Sequence, residues 1–146
     1  MATSDPPVDP RGPRFAAWVT SAVLVLVLLT SSGWLLLVQA VVFALGAFAG
    51  LRYSPYTVLY RLAIAPRLAP PGEKEAAAPL RFAQGVGFAF AVAGVAGYFS
   101  GAVVLGAVAT GLALFAAFLN AAFGFCLGCE TYLLFRRLTT SKGASV

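Results

Sequence analysis

The chain has 146 residues, 60% of them apolar and only 10% charged, and carries a net charge of +5 with no histidine. Soluble globular domains carry about 25% charged residues, so this composition excludes an ordinary soluble domain. The excess of positive charge does not indicate nucleic acid, because the basic residues do not form a patch. They sit in three places separated by long uncharged runs: Arg11 and Arg14; Arg52, Arg61, Arg67, Lys74 and Arg81; then Arg136, Arg137 and Lys142.

Residues 1–14, MATSDPPVDPRGPR, hold four prolines and no periodic apolar pattern. Such a segment buries too little surface to offset its ordering entropy, and it reads as an irregular arm whose Arg11 and Arg14 anchor to lipid phosphates or dock under the rest of the chain. From Phe15 to Leu51 there are 37 residues without a charge. A bilayer span takes about 20 apolar residues, so this run is long enough for a pair of short spans, about 15–30 and 34–50. A cleavable signal peptide is the competing reading, but its apolar region would end after about 7–15 residues. Here the run continues past Ser31, Ser32 and Gly33 into Trp34-Leu35-Leu36-Leu37. Gly46 and Gly50 form a small-xxx-small pair that would let helices approach closely.

The central segment, LRYSPYTVLYRLAIAPRLAPPGEKEAAAPLRF, is the sizeable polar region. Pro55 suits the first turn of a helix. Residues 56–65 then read as an amphipathic interfacial segment, with Tyr53, Tyr56 and Tyr60 in the aromatic belt and Arg61 and Arg67 reaching phosphates. APPGEKEAAAP reads as a solvated loop. A second uncharged run of 48 residues, Phe82 to Cys129, supplies spans at about 82–98 and 102–122, both rich in Gly and Ala. Gln39, Gln84 and Asn120 fall at span depth, where an unpaired amide costs several kcal/mol, and each is expected to face a partner helix.

The breaks inside the two uncharged runs carry no Lys or Arg, whereas both ends and the middle do. Cytoplasmic loops concentrate these residues. The expected fold is therefore all-α, an integral membrane four-helix bundle with both termini cytoplasmic, built as an arm (1–14), a four-span domain (15–138) and a tail (139–146), in the plasma membrane.

Both cysteines lie in FGFCLGCETYLLFRRL, residues 123–138. From Ala102 to Phe135 is 34 residues, about 50 Å as one helix, too long for a hydrocarbon core of roughly 30 Å. Either span four ends near Ala122, turns at Phe123-Gly124-Phe125 and a new helix starts around Cys126, or one tilted helix continues to Arg136 at the interface. In the first arrangement a helix N-terminus favours a Cys126 thiolate. In the second the thiol is desolvated and inert unless Arg136 or a partner compensates. Cysteines three apart share a helix face and can form the tight disulfide of Cys-x-x-Cys redox proteins. Glu130 beside them is ionisable near a membrane and is a site candidate on that ground, as a proton acceptor or a partner for Arg81 or Arg136. Zinc needs four ligands, which one chain does not offer; two copies of the motif would. The plain alternative is two small packing residues, since free cysteine behaves as a hydrophobe.

Three pieces of the chain, VDPRGPRFAA (8–17), LRFAQGVG (80–87) and FGFCLGCETY (123–132), resemble a family of small four-span bacterial membrane proteins, of actinobacterial type, known as domain of unknown function number 4395. The resemblance covers nearly the whole chain and falls on Arg11, Arg14, Phe15, Arg81, Phe82, Gln84, Cys126, Cys129 and Glu130. It implies a neighbourhood of thioredoxin-like or rhodanese-type sulfurtransferase partners, hence thiol or sulfur chemistry.

Three functions compete. The first is a thiol–disulfide relay, with Cys126 attacking, Cys129 resolving and Glu130 moving the proton; one pair near one face cannot carry electrons across a bilayer alone, so a quinone or a large rearrangement would have to help. The second is sulfur handling, a Cys126 persulfide or a passing sulfur oxyanion, with Arg11, Arg14, Arg52 and Arg81 supplying charge at the mouth and homo-oligomerisation enlarging the pore. The third is a scaffold whose cysteines only pack.

Overall fold

A computed structural model describes residues 11–67, 77–124 and 126–144. Among them there are helices and turns and no strand. Helix α1 is Arg11–Thr30, α2 Gly33–Ala44, α3 Pro55–Leu59, α4 Ala77–Ser100, α5 Val103–Phe123 and α6 Leu127–Ala144. A π turn at Leu45–Ala49 prolongs α2, and α3 continues through a π turn at Tyr60–Ile64 and a 3-10 turn at Ala65–Arg67. Three helices, α1, α4 and α5, are long and apolar enough to cross a membrane, and the apolar helix over Gly33–Ala49 is shorter. The molecule has the build of a membrane protein.

The helices pack as two hairpins side by side. Only Ser31 and Ser32 join α1 to α2, and only Gly101 and Ala102 join α4 to α5. Ser31 and Gly101 take positive φ, 51° and 91°. Ser32 caps α2, its hydroxyl accepting the Leu35 N–H at 3.1 Å, which satisfies one of the donors a helix start leaves open. Helix α1 packs on α5 and α2 on α4, which closes a ring of four helices. Leu24, Val27 and Leu36 are fully buried at its centre, with Phe43 and Ala91 beside them. Lipid offers no hydrophobic drive for helix association, so close contact must hold the ring. A Cβ on Gly97 would stand 2.6 Å from the Gly106 backbone nitrogen, and one on Gly94 would meet the Leu36 side chain at 2.6 Å.

Several boundaries differ from those read in the sequence. Helix α1 begins at Arg11, inside the expected arm, and residues 1–10 lie outside the described residues, as do 68–76 of the expected polar loop. Helix α6 runs on to Ala144 through the expected tail. Gly50 is a chain-turning residue, with φ 126°. Its N–H donates to the Leu45 carbonyl at 3.0 Å, an i→i−5 bond that forms the π turn. Of the expected small-xxx-small pair only Gly46 takes a close helix neighbour, the Gln84 side chain.

Candidate functional site

One end of the ring carries the charge. Arg14 at the start of α1 donates to the Ala121 carbonyl at the end of α5, at 3.1 Å. Arg81 at the start of α4 donates to the Ala47 carbonyl through Nε and Nη2, at 3.0 and 2.8 Å, and through Nη2 to Phe48 at 3.1 Å. Each guanidinium therefore caps the carbonyl end of a neighbouring helix, where free acceptors and the negative end of the dipole favour a cation. The segment after α2 folds back under the ring. Tyr60 packs on Gly12 and on the Phe15 ring, 5.9 Å away. Tyr56 reaches upward and donates its hydroxyl to Oε1 of the fully buried Gln39 at 2.7 Å. Burial pushes the Tyr56 phenol above its ordinary value, so it stays a neutral donor.

The cysteines occupy the same end, and their geometry follows from one glycine. Gly124 takes the left-handed conformation, φ 69° and ψ 12°, and its N–H returns to the Asn120 carbonyl at 3.0 Å. Without a Cβ this turn has no steric cost, and it ends α5. A fresh helix then starts at Leu127. Cys126 stands at its N-cap: the Cys126 carbonyl accepts the Glu130 N–H at 2.9 Å, and Cys126 Sγ accepts the Cys129 N–H at 3.2 Å. Of the two arrangements open in the sequence, the chain adopts the broken helix. Cys126 and Cys129 form a disulfide, with Cα atoms 5.2 Å apart, within the usual range for such a bridge.

Helix α4 holds this unit in position. A Cβ on Gly128 would meet the Cα and Cβ of Ala83 at 2.6 Å, so the second of the two residues between the cysteines must be glycine for α6 to lie this close. Cys129 packs against buried Leu51 and Leu80, and Tyr132 against the Phe82 ring at 5.6 Å. Glu130 is exposed in the first turn of α6, a position where a carboxylate complements the helix dipole. Arg136 is exposed on the same helix, Arg11 opens α1, and the Arg52 side chain lies outside the described residues.

Of the residues singled out in the sequence, the structure therefore joins Cys126, Cys129 and Glu130 in one helix start. Arg14 and Arg81 lie at the same end of the ring and are engaged with carbonyl oxygens. Leu51, Leu80 and Ala83, which seat the pair, carry no signal in the sequence because their role arises only when α4 and α6 meet. Among the described residues no group of three or more His, Cys, Asp or Glu side chains gathers to hold a metal. An apolar groove of about 540 Å³ between α2 and α4, lined by Val41, Phe48, Phe88 and Val92 among others, opens on a different face of α4 from the disulfide.

The profile of a family described as domain of unknown function (DUF4395) matches residues 8–137. The chain belongs to that family. The match takes in both cysteines, Arg14, Arg81 and the whole helical ring. No curated protein and no solved structure matches the chain.

Proposed function

We propose that this family member is a four-span thiol–disulfide exchange protein of the plasma membrane, with both termini and the cysteine pair on the cytoplasmic side. The apolar hairpins with uncharged turns, and the gathering of arginines at the opposite end, support that orientation. The observation that carries the chemistry is Cys126 at the N-cap of an 18-residue helix, its sulfur accepting the Cys129 N–H and bonded to the Cys129 sulfur. On reduction, that N–H and the positive helix end stabilise a Cys126 thiolate, the form that attacks.

Exchange then proceeds in two displacements. The Cys126 thiolate attacks one sulfur of a partner disulfide; that bond breaks, its second sulfur leaves as a thiolate, and a mixed disulfide forms. The Cys129 thiol gives up its proton to water or to the exposed Glu130 and attacks Cys126 Sγ, releasing the partner's other thiolate. Two electrons pass to the partner, whose thiolates take up two protons, and the reverse sequence reduces the pair. A thioredoxin-like protein has the required dithiol. Disulfides facing a reducing compartment are exchanging ones, consistent with a working pair and not a structural staple.

The test is a redox titration of the purified protein in detergent, trapping free thiols with an alkylating mass tag. A single two-electron transition between about −120 and −300 mV is expected. Thiols that stay unlabelled in the reduced, folded protein and react only after denaturation would overturn the proposal and leave two packing residues in a scaffold.

A further inference from the structure

Helix α6 leaves one long side without a protein partner. Successive residues of an α-helix are about 100° apart. On that wheel Gly128, Cys129 and Tyr132, which meet α4 and its surroundings, share one arc. Leu127, Leu134 and Leu138 fall in a separate narrow arc, and Phe135 lies between that arc and Gly128. Leu134 is 54% exposed, Phe135 70% and Leu138 60%. Arg136 lies on the far side of the wheel from this stripe and Arg137 flanks it beside Glu130, all three exposed.

Although Leu133 falls between the two arginines, the leucine arc with Arg136 opposite it is the pattern of a helix that lies in the membrane interface, its apolar side in the acyl boundary and its cations among the headgroups. Position agrees. Three residues separate the end of α5 from the start of α6, which crosses the first turns of α4, the level at which the apolar part of the ring gives way to its arginines. The last residue of α5, Phe123, is 71% exposed and touches the Phe118 ring, so apolar surface leads up to the start of α6.

We infer that the stripe Leu127–Leu134–Leu138 docks on the bilayer itself, with Arg136 and Arg137 favouring anionic headgroups. The disulfide at the start of α6 then sits at headgroup level, bound both to the ring and to the lipid surface. The inference does not depend on the redox chemistry.

Electron paramagnetic resonance on the oxidised full-length protein in vesicles of phosphatidylcholine and phosphatidylglycerol tests it. The bridged cysteines do not react, so single cysteines introduced as Leu134→Cys, Leu138→Cys and Thr139→Cys can each carry a nitroxide. Labels at 134 and 138 are expected to collide several-fold more with oxygen, which partitions into lipid, and several-fold less with an aqueous nickel chelate, than the label at 139. In addition, Arg136→Gln/Arg137→Gln is expected to raise nickel access at 138 in mixed vesicles and to leave it unchanged in pure phosphatidylcholine. Equal nickel access at 134, 138 and 139 would overturn the inference, because the stripe would then face water and be open to a protein partner. A nickel access at 138 that ignores lipid charge would overturn the role of the two arginines.

Discussion

The two ends of the helical ring are built by the same packing rule and put to different use. At the uncharged end, Gly97 lets the α4 and α5 backbones touch, and Trp34 stacks edge-on against Phe99 at 5.1 Å. Two residues close each turn and no charged residue lies near them. At the other end, Gly128 lets α6 touch α4, but here the close approach positions a disulfide, and arginines tie together the ends of neighbouring helices. One end is a seam. The other is a seam with a disulfide beside it, and equivalent substitutions at the two ends should therefore diverge.

The largest divergence is expected at the sulfur itself. Cys126→Ser should abolish exchange with a dithiol partner completely while leaving the helical content by circular dichroism unchanged; retained exchange would remove Cys126 from the mechanism. Next comes Arg81→Gln. It takes away charge-assisted hydrogen bonds to Ala47 and Phe48, each class of bond being worth about 1.5–3 kcal/mol. Thermal unfolding in detergent should show a loss of about 3 kcal/mol, with no equivalent loss available at the uncharged end.

The two glycines make the most direct comparison. Gly97→Ala and Gly128→Ala each drive a methyl group into backbone at 2.6 Å, and each should lower stability by about 2 kcal/mol, the usual cost of overpacking. Only Gly128→Ala should also shift the reduction potential of the pair, because only there does the displaced helix carry the cysteines. Equal potentials in the two variants would mean that the seat on α4 does not control the disulfide.

The smallest effect concerns the anchor of the folded-back segment. Tyr56→Phe deletes the hydrogen bond to Gln39 and should cost about 1 kcal/mol. Burial raises the Tyr56 phenol, so the folded protein holds that proton more tightly than the unfolded chain. Its contribution is fully present below about pH 10, the ordinary value, and is lost as the pH climbs through the raised one. Alkaline titration of stability should therefore fall more gently in Tyr56→Phe than in the parent.

Much of the scaffold was legible in the chain. Uncharged runs broken at Ser31-Ser32 and at Ser100-Gly101 marked the helices and their turns, because apolar length and turn residues are local properties. The family was legible for the same reason, through short stretches around Arg11, Arg81 and Cys126. The cysteine site was half legible. Spacing named the pair, but two glycines, 124 and 128, bracketed it, and composition alone did not say which one breaks the helix. Gly124 breaks it through its own backbone angles, while Gly128 is helical and is glycine because Ala83 of a distant helix leaves no room for a Cβ. Gln39 announced itself as a buried amide, yet its partner, Tyr56, sits 17 residues away and was read as an interfacial anchor. The π turn at Leu45–Ala49 left no local trace either, since the carbonyl groups around it are engaged by Arg81 from another helix.

The brevity of the two turns bears on how such a chain enters a bilayer. Each hairpin exposes only a serine pair or Gly101-Ala102 at its tip, so nothing ionised has to be dragged through hydrocarbon as it goes in, where even one charge is expensive. On the proposed topology a paired helix can slide in tip first, as a closed finger enters oil, while the arginines and the cysteine pair stay behind on the side of synthesis.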